Sequence, residues 1–243
     1  MTQKNRTLVW QDEFNKAQID RTKWRLEAGH TGASNGELEI YTDRPENAYI
    51  EDGCLVISAR EENYRDYRYT SARLKTQGLH SWMYGRIEAR IKIPSGQGLW
   101  PAFWMVGDDV STLGWPECGE IDIMEAIGRS PDTVRGTIHG PDYYRDDSIG
   151  ADFVLTGQKF ADDFHLYAVE WEPGQIRWYV DKWEYNTLTA SDVPGRWVFD
   201  RPFFILLNAA VGGHWPGYPD ETTRFPQFMY VDYVRVYHLA SAG

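Results

Sequence analysis

Three carboxylates stand close together in the middle of the chain, at Glu120, Asp122 and Glu125. They interrupt the apolar run 119–125, which otherwise reads as a buried strand, and burying an acid is costly unless it interacts with something. Two Glu side chains held about 5 to 6 Å apart have the separation of a retaining glycosidase, in which one carboxylate attacks the sugar and the other transfers protons. The same acids could instead bind a cation or cap neighbouring loops, so the residues around them must distinguish these interpretations.

The spacing of the three acids conflicts with a regular strand. Successive side chains of a strand point to opposite faces, so Glu120 and Asp122 share a face while Glu125, three residues after Asp122, should point the other way. A β-bulge near 123–124 removes the conflict, because one extra residue returns Glu125 to the face of its partners, and bulges are frequent beside active sites. Glu120 and Glu125 would then lie about four strand steps, or ~13 Å of backbone, apart, a gap that leaning side chains can reduce. The sequence therefore predicts a bulge and three acids that face one cleft.

Strands must position these acids, because period-two alternation recurs along the chain and convincing helical spacing is almost absent. The predicted strands are 54–59, 84–93, 133–139, 165–171, 175–180, 203–208 and 229–237. Clusters of turn residues separate them, and many short strands spaced by turns are typical of an antiparallel β-sandwich. No linker and no repeat interrupts residues 1–243, so a single domain is expected.

The composition limits the classes of partner. The 243 residues carry a net charge of −11 and no clustered basic run, which disfavours nucleic acids and other polyanions as partners. No run of eighteen apolar residues is present, so no membrane span is expected. Eleven Trp and fifteen Tyr exceed what packing alone requires. An uncharged ligand held in an aromatic-lined cleft fits this composition, although an aromatic-rich core accounts for part of it.

The start of the chain and its two cysteines indicate neither a secretory signal nor a disulfide or metal site. Residues 1–6 lack the apolar central region of a secretory signal. Cys54 and Cys118 are too few for a disulfide framework and lack the spacing of metal ligands, so both are expected to be buried thiols.

Three short polar interruptions stand beside apolar residues at Glu13, Gly53 and Asp232. Each alone carries little information. Main-chain carbonyls together with a carboxylate are, however, the kind of ligand set that a hard cation such as Ca²⁺ accepts.

Several stretches resemble the laminarinases of glycoside hydrolase family 16. The resemblance is most specific in 98–107, 114–125 and 136–140, which include the acidic run. It also covers 10–14, 70–76, 84–90, 208–217 and 231–237, and therefore extends over essentially the whole chain. It implies a β-jelly-roll sandwich, concave on one side, that hydrolyses internal β-1,3 bonds of glucans with retention of configuration.

The resemblance also implies roles for the acids. It makes Glu120 the nucleophile, Glu125 the general acid and then base, and Asp122 the residue that assists between them. This division agrees with the chemistry, because a nucleophile must be ionised whereas an acid must hold its proton near neutral pH. The order of the acids alone does not tell which Glu has which role.

Further positions match residues that line the sugar subsites of the family. Flat rings suit the face of a pyranose, and polar groups suit its hydroxyls. For each of these residues a structural role, such as core packing, a turn cap or a surface ion pair, is the alternative. The implied cleft residues are Asn35, Glu37, Arg73, Trp100, Trp104, Trp115, His139 and Trp215.

Glu13, Gly53 and Asp232 match the family's calcium site on the convex face, which implies a structural Ca²⁺ and no cofactor for catalysis. The chain departs from the family in the loop 33–37 and at Glu39, where Gln is common, which leaves the preference for chain length open. Secretion is expected, because a polymer cannot enter the cell, and a monomer is expected as well.

Two alternatives remain at this point. Within the enzyme class, the substrate could be a mixed β-1,3-1,4-glucan or, less in keeping with the residues, a galactan. In a different class, the same scaffold could be a glucan-binding module without turnover. Loss of a catalytic Glu would favour that module, and both Glu120 and Glu125 are present.

Overall fold

The computed structural model of the protein describes residues 6–240. Residues 1–5, which hold most of the segment tested for a secretory signal, and 241–243 lie outside the described part. In chain order, strands β1 to β17 span Arg6–Asp12, Arg25–Leu26, Glu39–Tyr41, Ala48–Glu51, Cys54–Tyr64, Tyr67–Ser71, Arg73–Lys75, Gly85–Lys92, Leu99–Gly107, Glu120–Glu125, Thr133–His139, Ile149–Val154, His165–Glu172, Gln175–Val180, Trp183–Thr189, Phe203–Val211 and Gln227–Leu239. One helical turn, α1, spans Val110–Leu113, and 3-10 turns span Ala33–Asn35 and Arg145–Asp147.

The strands form two sheets. The ten-stranded sheet has the order β15-β14-β13-β8-β17-β5-β6-β3, with β1 also paired to β17 and β4 to β5, and the seven-stranded sheet has the order β12-β11-β10-β9-β16-β7-β2. The pairing is antiparallel except between β3 and β6, which run parallel. The predicted all-β jelly-roll sandwich is thus confirmed, with one parallel pair that alternation did not reveal.

Alternating residues of both sheets build the core between them. On β9, Phe103 and Met105 are fully buried in this core, together with Ile87 and Ala89 of β8 in the opposite sheet. Burying each large apolar side chain contributes about 1.5–3 kcal/mol. The residues that alternate with them on the seven-stranded sheet point away from the core, and that outer face carries the acids.

One hydrogen bond ties the acidic strand to the opposite sheet. The indole N–H of the fully buried Trp178, on β14, donates to the main-chain carbonyl of Asp122 at 2.8 Å. Gly136 on β11 makes room for this indole, because a Cβ there would lie 2.3 Å from the Trp178 ring. The main chain of the acidic strand is therefore held from beneath by a rigid side chain.

Strand β9 was not among the strands that alternation predicts, although it lies at the centre of the seven-stranded sheet. Its Pro101 argues against a central strand, because proline cannot donate to the ladder. The carbonyl of Pro101 accepts from the N–H of Ala126, so the proline nitrogen faces the point where β10 ends at Glu125. The missing donor consequently falls at the end of the ladder.

The cysteines were only partly predicted. Cys118 is buried, but Cys54 is half-buried because it begins β5 next to the turn at 52–53, and both are free thiols. None of the helices in the described residues is long and apolar enough to cross a membrane.

Candidate active site

A β-bulge lies between Asp122 and Glu125, as the spacing of the acids predicts. Across to β9, Asp122 pairs with Trp104 and Met124 with Phe103, which leaves Ile123 as the extra residue. The register with β11 shifts at the same point.

The bulge places the three acids opposite one face of β9. Glu120, Asp122 and Glu125 pair with Val106, Trp104 and Ala102, respectively, which alternate along β9 and share its outer face. The three acids therefore face the same cleft, at whose floor only Asp122 is fully buried, with 2 % of its surface exposed.

The cleft has a volume of about 930 Å³ and crosses five neighbouring strands, β7, β16, β9, β10 and β11. Alternate residues of each strand form its floor. Trp115 lies over the Glu120 end of the acidic strand, with its ring centroid 5.9 Å from that of His139. Trp100 and Trp215 meet edge to face at the Glu125 end, with ring centroids 5.3 Å apart. Aromatic walls thus flank the acids on both sides.

Trp100 fixes the orientation of Glu125. Its indole N–H donates to Oε1 of Glu125 at 2.9 Å. Since an indole nitrogen can only donate, Oε1 must accept, and a proton on this carboxyl group belongs on Oε2. The hydrogen bond therefore leaves Oε2 as the oxygen that can give a proton to a ligand.

His139 is the neighbour of the other two acids. The main-chain N–H of Arg145 donates to Nδ1 of His139 at 3.1 Å, so in the neutral ring the proton is on Nε2. Nε2 lies 3.1 Å from Oδ2 of Asp122 and 3.7 Å from Oε1 of Glu120, although the alignment with Oδ2 falls short of a hydrogen bond. The imidazole thus presents the positive end of its N–H to both carboxylates.

The same three groups come within 4.8 Å of one another and are, among the described residues, the one cluster of at least three metal-type side chains. A cation site was the alternative reading of the acids. In the tautomer that Arg145 selects, however, Nε2 of His139 carries a proton and has no lone pair for a metal. The cluster is better suited to holding protons than a cation.

Burial makes all three carboxyl groups weak acids. It is the largest cause that raises the pKa of Glu120, Asp122 and Glu125 to about 8 each. The charge of Asp122 raises the pKa of both glutamates further, whereas His139 lowers it. A hydrogen bond with Glu120 lowers the pKa of Asp122. Because each acid changes the pKa of another, the raised pKa values belong to the trio as a group and not to single residues.

The cleft also contains every residue that the resemblance implied as a sugar contact. Arg73 lies with its guanidinium carbon 4.9 Å from the centroid of the Trp104 ring. Trp104 donates its N–H to Asn208 at 2.7 Å, and Glu37 accepts from Asn35 at 2.8 Å. The cleft residues brought together are Asn35, Glu37, Arg73, Trp100, Trp104, Trp115, His139 and Trp215.

Other cleft residues were not identified from the sequence. Arg135 and Thr137 alternate with His139 on β11, and the period of two would have placed them on the same face. Asn208 stands on β16, in a stretch where every residue is buried, so its orientation could not be read from alternation. Tyr41 lies behind the cleft and donates to Glu37 at 3.3 Å.

The predicted calcium positions lie at one region of the ten-stranded sheet, whereas the acids are on the seven-stranded sheet. Glu13 follows the end of β1, where Asp12 pairs with Val234, and Gly53 precedes β5, where Leu55 pairs with Val231, so both adjoin the part of β17 that holds Asp232. Asp232 is the extra residue of a bulge in β17. Glu13 binds Arg235 through both carboxylate oxygens, at 2.7 and 2.8 Å, and Asp232 binds Arg90 at 2.7 Å. A calcium ion would have to take Asp232 from its arginine and use main-chain carbonyls for the remaining ligands.

Comparison with known proteins identifies the family. The model for "Glycosyl hydrolases family 16" matches residues 20–235. The chain is 46 % identical to a β-glucanase from Rhodothermus marinus, over 95 % of the chain and 84 % of that protein. It is 40 % identical to glucan endo-1,3-β-glucosidase A1 from Niallia circulans, over 95 % of the chain but 37 % of that longer protein.

A solved structure is similar throughout. The catalytic domain of an endo-1,3-β-glucanase (laminarinase) from Thermotoga petrophila RKU-1 superposes with a TM-score of 0.94 at 49 % identity, covering 98 % of this chain and 100 % of that one. The bulged acidic strand, the aromatic cleft and these similarities, which extend over nearly the whole chain, lead to one conclusion. The chain belongs to glycoside hydrolase family 16.

Proposed function

We propose that this chain is an endo-β-1,3-glucanase that acts on glucans such as laminarin with retention of configuration. The observation that carries the proposal is the bulge, which sets Glu120 and Glu125 on one face of one strand, with Asp122 between them. The relatives named as endo-1,3-β-glucanases support the linkage. The cleft crosses five strands, which suits an internal segment of a polymer.

In the first step, Glu120 attacks and Glu125 protonates. A carboxylate oxygen of Glu120 forms a bond to the anomeric carbon while the bond from that carbon to the glycosidic oxygen breaks. The proton on Oε2 of Glu125 passes to the departing oxygen, which leaves as a hydroxyl group. Burial raises the pKa of Glu120 and of Glu125 alike to about 8, so burial does not separate the two roles. Their neighbours differ: the indole N–H on Oε1 leaves a proton on Oε2 of Glu125, whereas the N–H of His139 faces Glu120.

In the second step, water displaces Glu120 from the sugar. The Glu125 carboxylate takes a proton from water, whose oxygen bonds to the anomeric carbon as the ester bond to Glu120 breaks. Burial raises the pKa of Asp122 to about 8, so near neutral pH this group can keep its proton and donate it in a hydrogen bond to Glu120, and this bond and the nearby N–H of His139 stabilise the carboxylate when it leaves. Two displacements at the same carbon restore the β configuration.

The stereochemical outcome tests the mechanism directly. When the protein is incubated with laminarin, the anomeric proton followed by NMR should show β product first, with the α form growing later by mutarotation. Initial release of the α-anomer would rule out the double displacement.

A panel of laminarin, curdlan, lichenan and agarose then tests the linkage, and we expect the highest kcat/KM on laminarin. Faster turnover of lichenan would instead establish the mixed-linkage alternative, and binding to laminarin without turnover would establish the non-catalytic module.

The aromatic and polar cleft residues are proposed to bind the sugar chain. Trp100 and Trp215 on one side of the acids, and Trp115 on the other, offer ring faces and edges for pyranose rings. Asn35, Glu37 and Arg73 offer hydrogen bonds at the far end of the cleft.

A structural calcium ion at Glu13, Gly53 and Asp232 is a further proposal, which the adjacency of these positions supports. Since the ion would bind only the folded state, millimolar Ca²⁺ should raise the Tm of EDTA-treated protein by a few degrees, following the linkage between binding and stability. Asp232→Asn should reduce this shift, whereas exposed Asp66→Asn should not. A Tm that is insensitive to Ca²⁺ would show that Arg90 and Arg235 replace the ion. We also propose that the enzyme is secreted, because its substrate is a polymer outside the cell, and that it acts as a monomer.

A further inference from the structure

A second carboxyl group is buried away from the catalytic acids, on strand β3. Glu39 is fully buried, with no exposed surface. Its Oε2 accepts the main-chain N–H of Val211 at 2.7 Å, and its Oε1 has no hydrogen-bond donor among the described residues. A buried, ionised carboxylate with one oxygen left without a donor is costly. A proton on Oε1 removes this cost, provided that an acceptor stands nearby.

That acceptor is Glu37, two residues earlier on the same side of the chain. The carboxyl groups of Glu37 and Glu39 lie within hydrogen-bond reach of each other. Glu37 also accepts from Asn35 at 2.8 Å and from the hydroxyl of Tyr41 at 3.3 Å, so three donors converge on it if Glu39 is protonated. We propose that Glu39 is a neutral carboxylic acid that donates a hydrogen bond to Glu37 and thereby positions the Glu37 carboxylate in the cleft.

The surrounding groups favour this arrangement. Burial raises the pKa of Glu39 well above its usual range, and the charge of Glu37 raises it further, whereas the main-chain N–H groups of Val211 and of Glu39 itself lower it. The cation of this region, Arg73, binds Glu27 at 2.9 Å and approaches His30 at 3.1 Å, so it is engaged away from Glu39.

Of the remaining titratable groups, Tyr41 faces Glu39 as a neutral phenol, because burial raises its pKa well above the usual range. Its hydroxyl also lies within reach of the Glu39 carboxyl group, but its single proton points to Glu37 at 3.3 Å. The residues that β6 places beside β3 are Tyr69, Thr70 and Ser71, which bring no charge. Neutral Glu39 is thus surrounded by one carboxylate and by uncharged donors.

The main chain at Gly32 approaches the Glu37 carboxyl group closely. Gly32 lies against the Glu37 carboxyl group, and a Cβ at Gly32 would stand 1.8 Å from its Cδ. Gly32 therefore leaves the space that Glu37 occupies when it accepts from Asn35, Tyr41 and Glu39. Glu37 lines the cleft, so this inference rests on the proposed function for its consequence, namely that the fixed carboxylate accepts hydrogen bonds from sugar hydroxyls.

Infrared difference spectroscopy tests the protonation without any substrate. The spectrum of the native protein minus that of Glu39→Gln, at neutral pH, should contain the C=O stretch of a protonated carboxylic acid. If carboxylate bands appear in the difference instead, Glu39 is ionised and the inference is wrong. Because the readout needs no turnover, it separates a failure of this inference from a failure of the proposed glucanase activity.

Kinetics on laminarin test the positioning role. Glu39→Gln keeps a neutral donor toward Glu37 and an acceptor for Val211, so its KM should stay within about twofold of the native value. Gly32→Ala leaves Glu39 in place but displaces the Glu37 carboxylate, and it should raise KM about tenfold, the loss of one good hydrogen bond, with kcat nearly unchanged. An unchanged KM in Gly32→Ala, or a KM in Glu39→Gln as high as in Gly32→Ala, would overturn the positioning role.

Discussion

Glu120→Ala is expected to lower kcat on laminarin by about 10⁴-fold or more, because no covalent intermediate forms without the carboxylate. Glu125→Ala should lower kcat by about 10²–10⁴-fold, the usual contribution of a general acid and base. Initial rates on laminarin measure both losses. A matched control is Glu117→Ala, since Glu117 is an exposed acid on the turn just before the strand and should be dispensable.

Azide distinguishes the two roles by the configuration of its product. In Glu120→Ala, azide takes the place of the missing nucleophile, attacks from the same side and gives an α-glycosyl azide. In Glu125→Ala, the covalent intermediate still forms on Glu120, and azide then displaces it to give a β-glycosyl azide. NMR of the azide products reads the configuration. The opposite assignment of α and β products would show that Glu125 is the nucleophile and Glu120 the acid.

Asp122→Asn is expected to stabilise the folded protein at alkaline pH. Burial raises the pKa of Asp122 from its ordinary value near 3.8 to about 8 in the folded state, so between these values the folded state binds more protons than the unfolded state. Stability from this group is therefore present at low pH and is lost as pH rises through the window. An amide does not ionise, so the variant should avoid the loss.

The expected gain in stability of Asp122→Asn follows from the same linkage between protonation and folding. Each pKa unit is worth about 1.4 kcal/mol, and because the three acids share the shift we expect a gain of about 2 kcal/mol in the free energy of unfolding at about pH 8. Urea unfolding at about pH 8 and about pH 5 measures it, with a much smaller gain at the lower pH. The exposed Asp66→Asn should change neither value. A gain that is equal at both pH values would show that Asp122 is not held protonated by burial.

The acidic strand is the part of the site that the sequence predicts best. Asp122 is two residues after Glu120, but Glu125 is three residues after Asp122, so the three acids share a face only if one extra residue lies between Asp122 and Glu125. The register with β9 shows that this residue is Ile123. The information is local, because the alternation of side chains along one strand needs no knowledge of its neighbours. The roles of Glu120 and Glu125 are not local, and they came only from the resemblance.

The rest of the cleft depends on contacts between distant parts of the chain. Asn208 reaches Trp104 because β16 pairs with β9 across about a hundred residues, and no pattern within either strand specifies that register. Strand β9 itself was not among the predicted strands, and its Pro101 is unusual for a central strand. The calcium positions show the same limit, since the sequence does not reveal that Arg90 and Arg235 compete for the acids.

Glu39 shows why a buried acid is hard to interpret from sequence. In a strand it reads as a polar interruption, as Glu120 does, yet its surroundings differ. Glu120 faces a cleft beside other acids, whereas Glu39 has a main-chain donor on one oxygen and an acceptor on the other side. The difference lies in tertiary contacts that involve β16 and the loop before β3.

The bulge at Ile123 also has an evolutionary consequence. In a regular strand the position two places after Asp122 faces the cleft. An in-frame deletion of one codon between Asp122 and Glu125 would move the glutamate to that position, remove the bulge and still leave three acids on one side of the strand. The distance along the strand from Glu120 to its partner would remain about four steps. A single deletion in the gene would therefore replace the bulged catalytic strand by a straight one without changing either glutamate.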